Sequence, residues 1–183
     1  MRALVTGGAS CGKSRYAESL CQSLGGTLVY LAAMQPFGEE GQARIRRHRA
    51  LRAGKGFSTV ECFEGLKVSL DDSRTLGATA LLEDLGNVVA NRLFAGAMPC
   101  TTDAIVNEIV SELDALAQRC AHLVVVGNEV GGDGATYGRE TEDYRVILGQ
   151  VARAWATRCD FVAGCTAGVP TILKGEGKHE SVA

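Results

Sequence analysis

Aromatic side chains are few, 5% of the chain, and no run approaches the ~20 apolar residues that a membrane helix needs. Charge of one sign is also missing, since 19 basic residues stand against 21 acidic ones. A nucleic-acid binder needs a basic footprint and usually aromatic stacking platforms, so that class is disfavoured. The seven cysteines (Cys11, Cys21, Cys62, Cys100, Cys120, Cys159, Cys165) are odd in number and contain no CxxC pair. A disulfide framework or zinc knuckle is therefore not expected, and scattered thiols fit a reducing compartment. The N-terminus has no basic start followed by a long apolar stretch and cleavage site, so the expected location is cytoplasmic.

Hydrophobic residues make up 46% of the 183, enough for the core of one domain, and that core must be mainly aliphatic and alanine-rich. Residues 3–6 form a short apolar run that enters a Gly-rich loop, and 14–24 carry apolar residues at helical spacing before Gly25 and Gly26. Further strands are expected at 27–32, 57–60, 78–82, 122–126, 161–163 and 171–173. Helices are expected at 39–52, 88–94, 103–120 and 139–158, with loops at 98–102 and 131–138. The tail from Gly175 is polar and expected to be loose. Continuously apolar strands alternating with helices predict a single α/β domain over 1–183, with a mostly parallel sheet flanked by helices.

Gly7, Gly8, Ala9, Ser10, Cys11, Gly12, Lys13 and Ser14 fit the phosphate-loop pattern G-x-x-x-x-G-K-[ST] in full. Glycines let backbone N–H groups wrap a phosphate, and the helix that starts at Lys13 adds its dipole. Lys13 is placed to reach the β- and γ-phosphates, and the Ser14 hydroxyl to ligate Mg²⁺. A carboxylate at another strand end usually supports the metal, and Glu83-Asp84 after the 80–82 run is the candidate. This motif implies a nucleoside triphosphate and Mg²⁺ but no particular acceptor.

A second feature is His48 within a run of arginines. On a helix Arg44, His48 and Arg52 share one face. Two flanking cations disfavour protonation of the imidazole, and a neutral imidazole is a nucleophile. The residues alone favour a solvated basic face with an incidental histidine, since charge runs are usually solvated.

Taken together, the residues resemble one family. They include Leu4-Val5-Thr6-Gly7-Gly8-Ala9, Gly12-Lys13-Ser14-Arg15-Tyr16-Ala17-Glu18 and Val29-Tyr30-Leu31-Ala32-Ala33-Met34-Gln35-Pro36-Phe37. Ala43-Arg44-Ile45, His48-Arg49, Thr59-Val60-Glu61, Leu81-Leu82-Glu83 and Asn91 follow. Asn128-Glu129-Val130-Gly131, Tyr144-Arg145, Gly149, Ala167-Gly168-Val169-Pro170 and Leu173-Lys174 complete the set. In order and spacing the chain resembles the bifunctional cobinamide kinase / cobinamide-phosphate guanylyltransferase family of vitamin B12 biosynthesis.

The resemblance implies phosphorylation of adenosylcobinamide by ATP or GTP, then transfer of GMP from GTP to adenosylcobinamide-phosphate. It places the GMP-carrying histidine at His48 and the nucleotide phosphates in the loop at 7–14. Ala33, Met34, Gln35, Arg49, Ala50, Leu51, Arg52, Glu61 and Glu83 would complete the GTP site. It also implies a P-loop fold and a homotrimer. Departures from the family pattern are Ser10-Cys11 in place of Arg-Ser, the stretch 132–136 in place of Gly-Ile-Val-Pro, Val146 in place of Asp, and Ala152-Arg153 in place of Asn-Gln. Two other readings fit the same residues: a plain small-molecule P-loop kinase indifferent to His48, and a GTP-binding subunit without turnover.

Overall fold

The computed structural model describes residues 1–36, 38–94, 101–131 and 134–176, with the side chains at 40, 44, 47–49, 51 and 52 left aside. The expected loop at 98–102 and the tail from 175 therefore fall largely outside the described residues.

Seven strands form one sheet: β1 (Arg2–Gly7), β2 (Leu28–Ala32), β3 (Phe57–Glu61), β4 (Thr79–Glu83), β5 (His122–Val126), β6 (Phe161–Thr166) and β7 (Val169–Lys174). Their spatial order is β3-β2-β4-β5-β1-β6-β7. All neighbours are parallel except β6 and β7, which form an antiparallel hairpin. The two C-terminal strands are longer than the expected 161–163 and 171–173, because hairpin pairing recruits the residues up to the turn at Ala167 and Gly168.

The central strands are apolar on both faces, and every residue of β4 is buried. That is the signature of a parallel sheet covered on both sides. The helices are α1 (Lys13–Leu24), α2 (Gly38–Arg52), α3 (Lys67–Asp71), α4 (Leu85–Phe94), α5 (Thr102–Arg119) and α6 (Arg139–Arg158). The cluster on one face includes Tyr16, Ala17, Leu20 and Cys21 of α1 against Val5, Tyr30, Leu81 and Val124. The larger cluster on the other face includes Val88 and Val89 of α4, Ile109 and Leu113 of α5, and Ile147, Val151 and Trp155 of α6. Among the described residues no helix is long and apolar enough to cross a membrane.

Trp155 is fully buried, and its indole N–H donates to the Ala3 carbonyl at 3.4 Å, tying α6 to β1. Trp155→Ala leaves a large cavity and should cost about 3–5 kcal/mol. Thermal unfolding should register this as a fall in Tm on the order of 10 °C.

The segment between β3 and β4 holds structure that the apolar pattern does not announce. It contains α3 and a 3₁₀ turn at Ser73–Thr75. Asp72 accepts from the Arg74 backbone N–H (2.9 Å) and from its guanidinium (2.9 and 2.6 Å). That pairing holds the Asp72 carboxyl down at about 2. Arg119, at the end of α5, donates to Thr75 Oγ1 at 2.7 Å and to the Asp72 carbonyl at 3.1 Å, locking the turn to the body of the domain.

Candidate active site

The C-terminal tips of the parallel strands gather on one edge, where an open α/β sheet binds its ligands. The loop between β1 and α1 lies there. Gly12 caps α1 with φ 94, a left-handed conformation open to glycine. A Cβ at Gly12 would also stand 3.0 Å from the Cα of Gly168, so the β6–β7 turn presses on the loop. The Gly168 N–H donates to the Cys11 carbonyl at 2.8 Å, closing that contact. Ser10 has φ 55, a left-handed conformation that costs a non-glycine residue roughly 1–2 kcal/mol. Such strain is typical of functional loops.

Lys13 is buried, and its ammonium donates to the Gly8 carbonyl at 2.9 Å. The cation thus rests inside the loop it is expected to serve. Ser14 Oγ donates to Glu83 Oε1, and Tyr30 donates to Glu83 Oε2 at 3.1 Å. Glu83 is buried at the tip of β4, so the structure joins the two residues read from the sequence as metal ligands. Hydroxyl and carboxylate oxygens suit a hard cation such as Mg²⁺. Among the described residues no group of three His, Cys, Asp or Glu side chains forms a metal cage. A cation here would therefore complete its shell with phosphate oxygens and water.

Ala33 follows β2 and its N–H donates to the Glu83 carbonyl at 3.3 Å, so the start of the 33–35 segment sits beside the metal-type pair. Its own carbonyl accepts from Asn91 Nδ2 at 2.7 Å. Gln35 Nε2 donates to the Phe63 carbonyl at 3.4 Å, linking the segment to the end of β3. Glu61 ends β3, four strand places from β1. At about 4.8 Å per strand that is roughly 19 Å. Glu61 and the phosphate loop therefore cannot hold the same phosphate. His48, Arg49, Ala50, Leu51 and Arg52 fall on α2, as expected. Ala50 is exposed, while the side chains of His48, Arg49, Leu51 and Arg52 lie outside the described residues. The turn after α2 is fastened to α1 by Lys55 Nζ on Glu18 Oε2 at 2.5 Å.

Tyr30, Lys55 and Gly168 are the supports that sequence reasoning missed. Tyr30 alone carried a local signal, a hydroxyl inside an otherwise aliphatic strand. Asp84, the other carboxylate of the candidate pair, accepts at Oδ1 from the Asn87 N–H (2.8 Å) and Asn87 Nδ2 (3.0 Å) at the start of α4.

Past β5, Arg145 reaches back to the carbonyls of Val130 and Gly131, both at 3.4 Å. It pairs with Glu142 at 2.7 Å and covers the Tyr137 ring at 5.1 Å. Arg145 is thus anchored although its chain neighbour is Val146 and not an acid.

Cysteine chemistry offers a probe of the loop. Cys21, Cys62, Cys120, Cys159 and Cys165 are buried. Burial pushes Cys62 and Cys159 up to about 12 and Cys120 to about 11, and raises Cys21 and Cys165 too. Thiolates are the reactive form, so these five should be inert. Cys11 is half-buried in the loop itself. Alkylation of the native protein, mapped by peptide mass, should label Cys11 ahead of those five. GTP at about 100 times its Kd leaves about 1% of sites free and should slow labelling by up to about 100-fold. Equal rates with and without GTP would place the nucleotide elsewhere.

Known proteins match almost the whole chain. The family described as cobinamide kinase / cobinamide phosphate guanyltransferase matches residues 3–173. A bifunctional adenosylcobalamin biosynthesis protein of Salmonella typhimurium is 32% identical over 95% of this chain and 100% of its own length. One of Pseudomonas aeruginosa is 31% identical over 96% of this chain and 99% of its own. One of Escherichia coli is 32% identical over 95% and 100%.

Proposed function

The chain belongs to the cobinamide kinase / cobinamide phosphate guanyltransferase family, and from that premise we propose that it performs both reactions of its relatives' kind. It phosphorylates adenosylcobinamide with ATP or GTP. It then transfers GMP from GTP to adenosylcobinamide-phosphate through a GMP-histidine at His48. The observation that carries the reading is the intact phosphate loop, with Lys13 inside it and Ser14 joined to Glu83, in a chain matched by the family over residues 3–173.

In this reading the backbone N–H groups of the loop receive the phosphates, and Lys13 moves from the Gly8 carbonyl onto the β- and γ-phosphate oxygens. Ser14 and Glu83 hold Mg²⁺, with Tyr30 orienting the carboxylate. Bound there, Mg²⁺ neutralises phosphate charge. Ala33, Met34, Gln35, Glu61 and the α2 residues Arg49, Ala50, Leu51 and Arg52 complete the GTP site. For guanylyl transfer the neutral His48 imidazole attacks the α-phosphorus. An N–P bond forms, the bond to pyrophosphate breaks, and a phosphoramidate remains. An oxygen of cobinamide-phosphate then attacks the same phosphorus and the N–P bond breaks. Splitting the transfer lowers each barrier. The working protein is taken as a cytoplasmic homotrimer.

Incubation with adenosylcobinamide, ATP, GTP and Mg²⁺, followed by mass analysis of the corrinoid, tests the proposal. A phosphorylated and then a GDP-bearing corrinoid are expected. Unchanged corrinoid with nucleotide still bound would overturn it.

A further inference from the structure

The motif Asn128-Glu129 has no part in the nucleotide site assembled above, yet the topology brings it beside the phosphate loop. In the sheet β5 lies between β1 and β4. Its register sets Val126 opposite Val5 and Val125 opposite Leu82. The chain leaving β5 therefore emerges between the loop at 7–12 and Glu83. Backbone bonds hold it there: the Gly127 N–H donates to the Val5 carbonyl at 2.8 Å, and the Glu129 N–H to the Gly7 carbonyl at 3.1 Å. The Glu129 side chain is exposed, and Thr6 Oγ1 on β1 stands 3.5 Å from its Oε1.

Other carboxylates on this edge are less suited to meet an acceptor at the γ-phosphate. Glu83 is buried and engaged through both oxygens by Ser14 and Tyr30. Asp84 caps the start of α4 through Asn87. Glu61 is four strand places from β1, roughly 19 Å, whereas Glu129 leaves the strand one place away, roughly 5 Å. Among the described residues no ion pair engages Glu129. Its carboxylate is exposed beside the loop, where Oε1 accepts only the long 3.5 Å bond from Thr6 Oγ1 among the described residues, and so it can meet a substrate hydroxyl.

We propose that Glu129 is the general base of the phosphorylation step, taking the proton from the hydroxyl of the acceptor's aminopropanol arm. This rests on the functional reading above. As the hydroxyl oxygen bonds to the γ-phosphorus, its proton passes to a Glu129 carboxylate oxygen. The bond from the γ-phosphorus to the bridging oxygen breaks, and the electron pair leaves with the nucleoside diphosphate. Guanylyl transfer has no such need, because its acceptor is a phosphate oxygen already ionised near neutral pH.

The two reactions therefore separate the role. In Glu129→Gln, kcat for phosphorylation of cobinamide should fall about 10²-fold or more, with KM for the nucleotide little changed. Transfer of GMP to cobinamide-phosphate supplied ready-made should stay within about threefold of wild type. Glu129→Asp should recover part of the lost phosphorylation rate. Phosphorylation that survives in Glu129→Gln would overturn the assignment. A parallel fall of both reactions would overturn it too, since Glu129 would then serve the shared nucleotide site. A wild-type protein that phosphorylates no cobinamide would sink the functional reading and this assignment together. A working wild type with an unaffected variant sinks the assignment alone.

Discussion

Lys13→Ala should lower both phosphorylation and GMP transfer by about 10²–10³-fold, the usual loss when one preorganised charge-stabilising group is removed. The reason lies in the construction of the loop. Lys13 is the first residue of α1, its stem is buried, and its ammonium already points inward to the Gly8 carbonyl at 2.9 Å. Removal takes away the cation that meets the β- and γ-phosphates while the backbone cradle stays. Lys13→Met separates charge from packing, because it retains most of the buried stem. Both variants should keep the fold, as read by circular dichroism, and both should lose GTP affinity. Steady-state kinetics of each reaction is the check. If Lys13→Ala impaired one reaction and spared the other, the two steps would use separate nucleotide sites, contrary to the account.

His48→Ala should have the opposite selectivity. GMP transfer should fall at least about 10³-fold, the scale of losing a covalent nucleophile. Phosphorylation of cobinamide should stay near the wild-type rate, since no covalent enzyme intermediate is needed for it. In the sequence His48 stands within a run of arginines; neighbouring cations disfavour protonation of an imidazole, and a neutral imidazole is the attacking form. His48→Asn keeps a polar group of similar size and should be as inactive as alanine in transfer. GMP transfer equally slow, at the uncatalysed level, in wild type and both variants would leave His48 as part of a solvated basic face, and the chain as a plain kinase. The natural assay is quenched-flow measurement of GDP-cobinamide formation from ready-made cobinamide-phosphate.

The local part of the site was legible in the sequence, and the assembled part was not. Eight consecutive residues carry the phosphate loop, each type demanded by backbone contact or charge at a set spacing, so the motif reads without knowledge of the fold. Strand and helix placements followed in the same way from apolar runs and their period. The hidden parts are those made by distance or brevity. The bond from Tyr30 to Glu83 spans 53 positions and no local pattern announces it; Ser14 and Glu83, 69 positions apart, are paired in the sequence only because a phosphate-loop metal usually takes a carboxylate from another strand end. Helix α3 has five residues, too few to show a 3.6-residue period. Strand order was also unreadable, and it is the placing of β5 between β1 and β4 that brings Glu129 to the loop. At His48 the resemblance to a family and the helical spacing speak, while the side chain itself lies outside the described residues.

The measurement that reaches the central claim most directly is the intact mass of the protein after incubation with Mg²⁺ and GTP in the absence of any corrinoid. The account predicts a gain of one GMP, labile to acid, stable to base and absent from His48→Ala. No gain in mass, with GTP still bound in the loop, would contradict covalent guanylyl transfer.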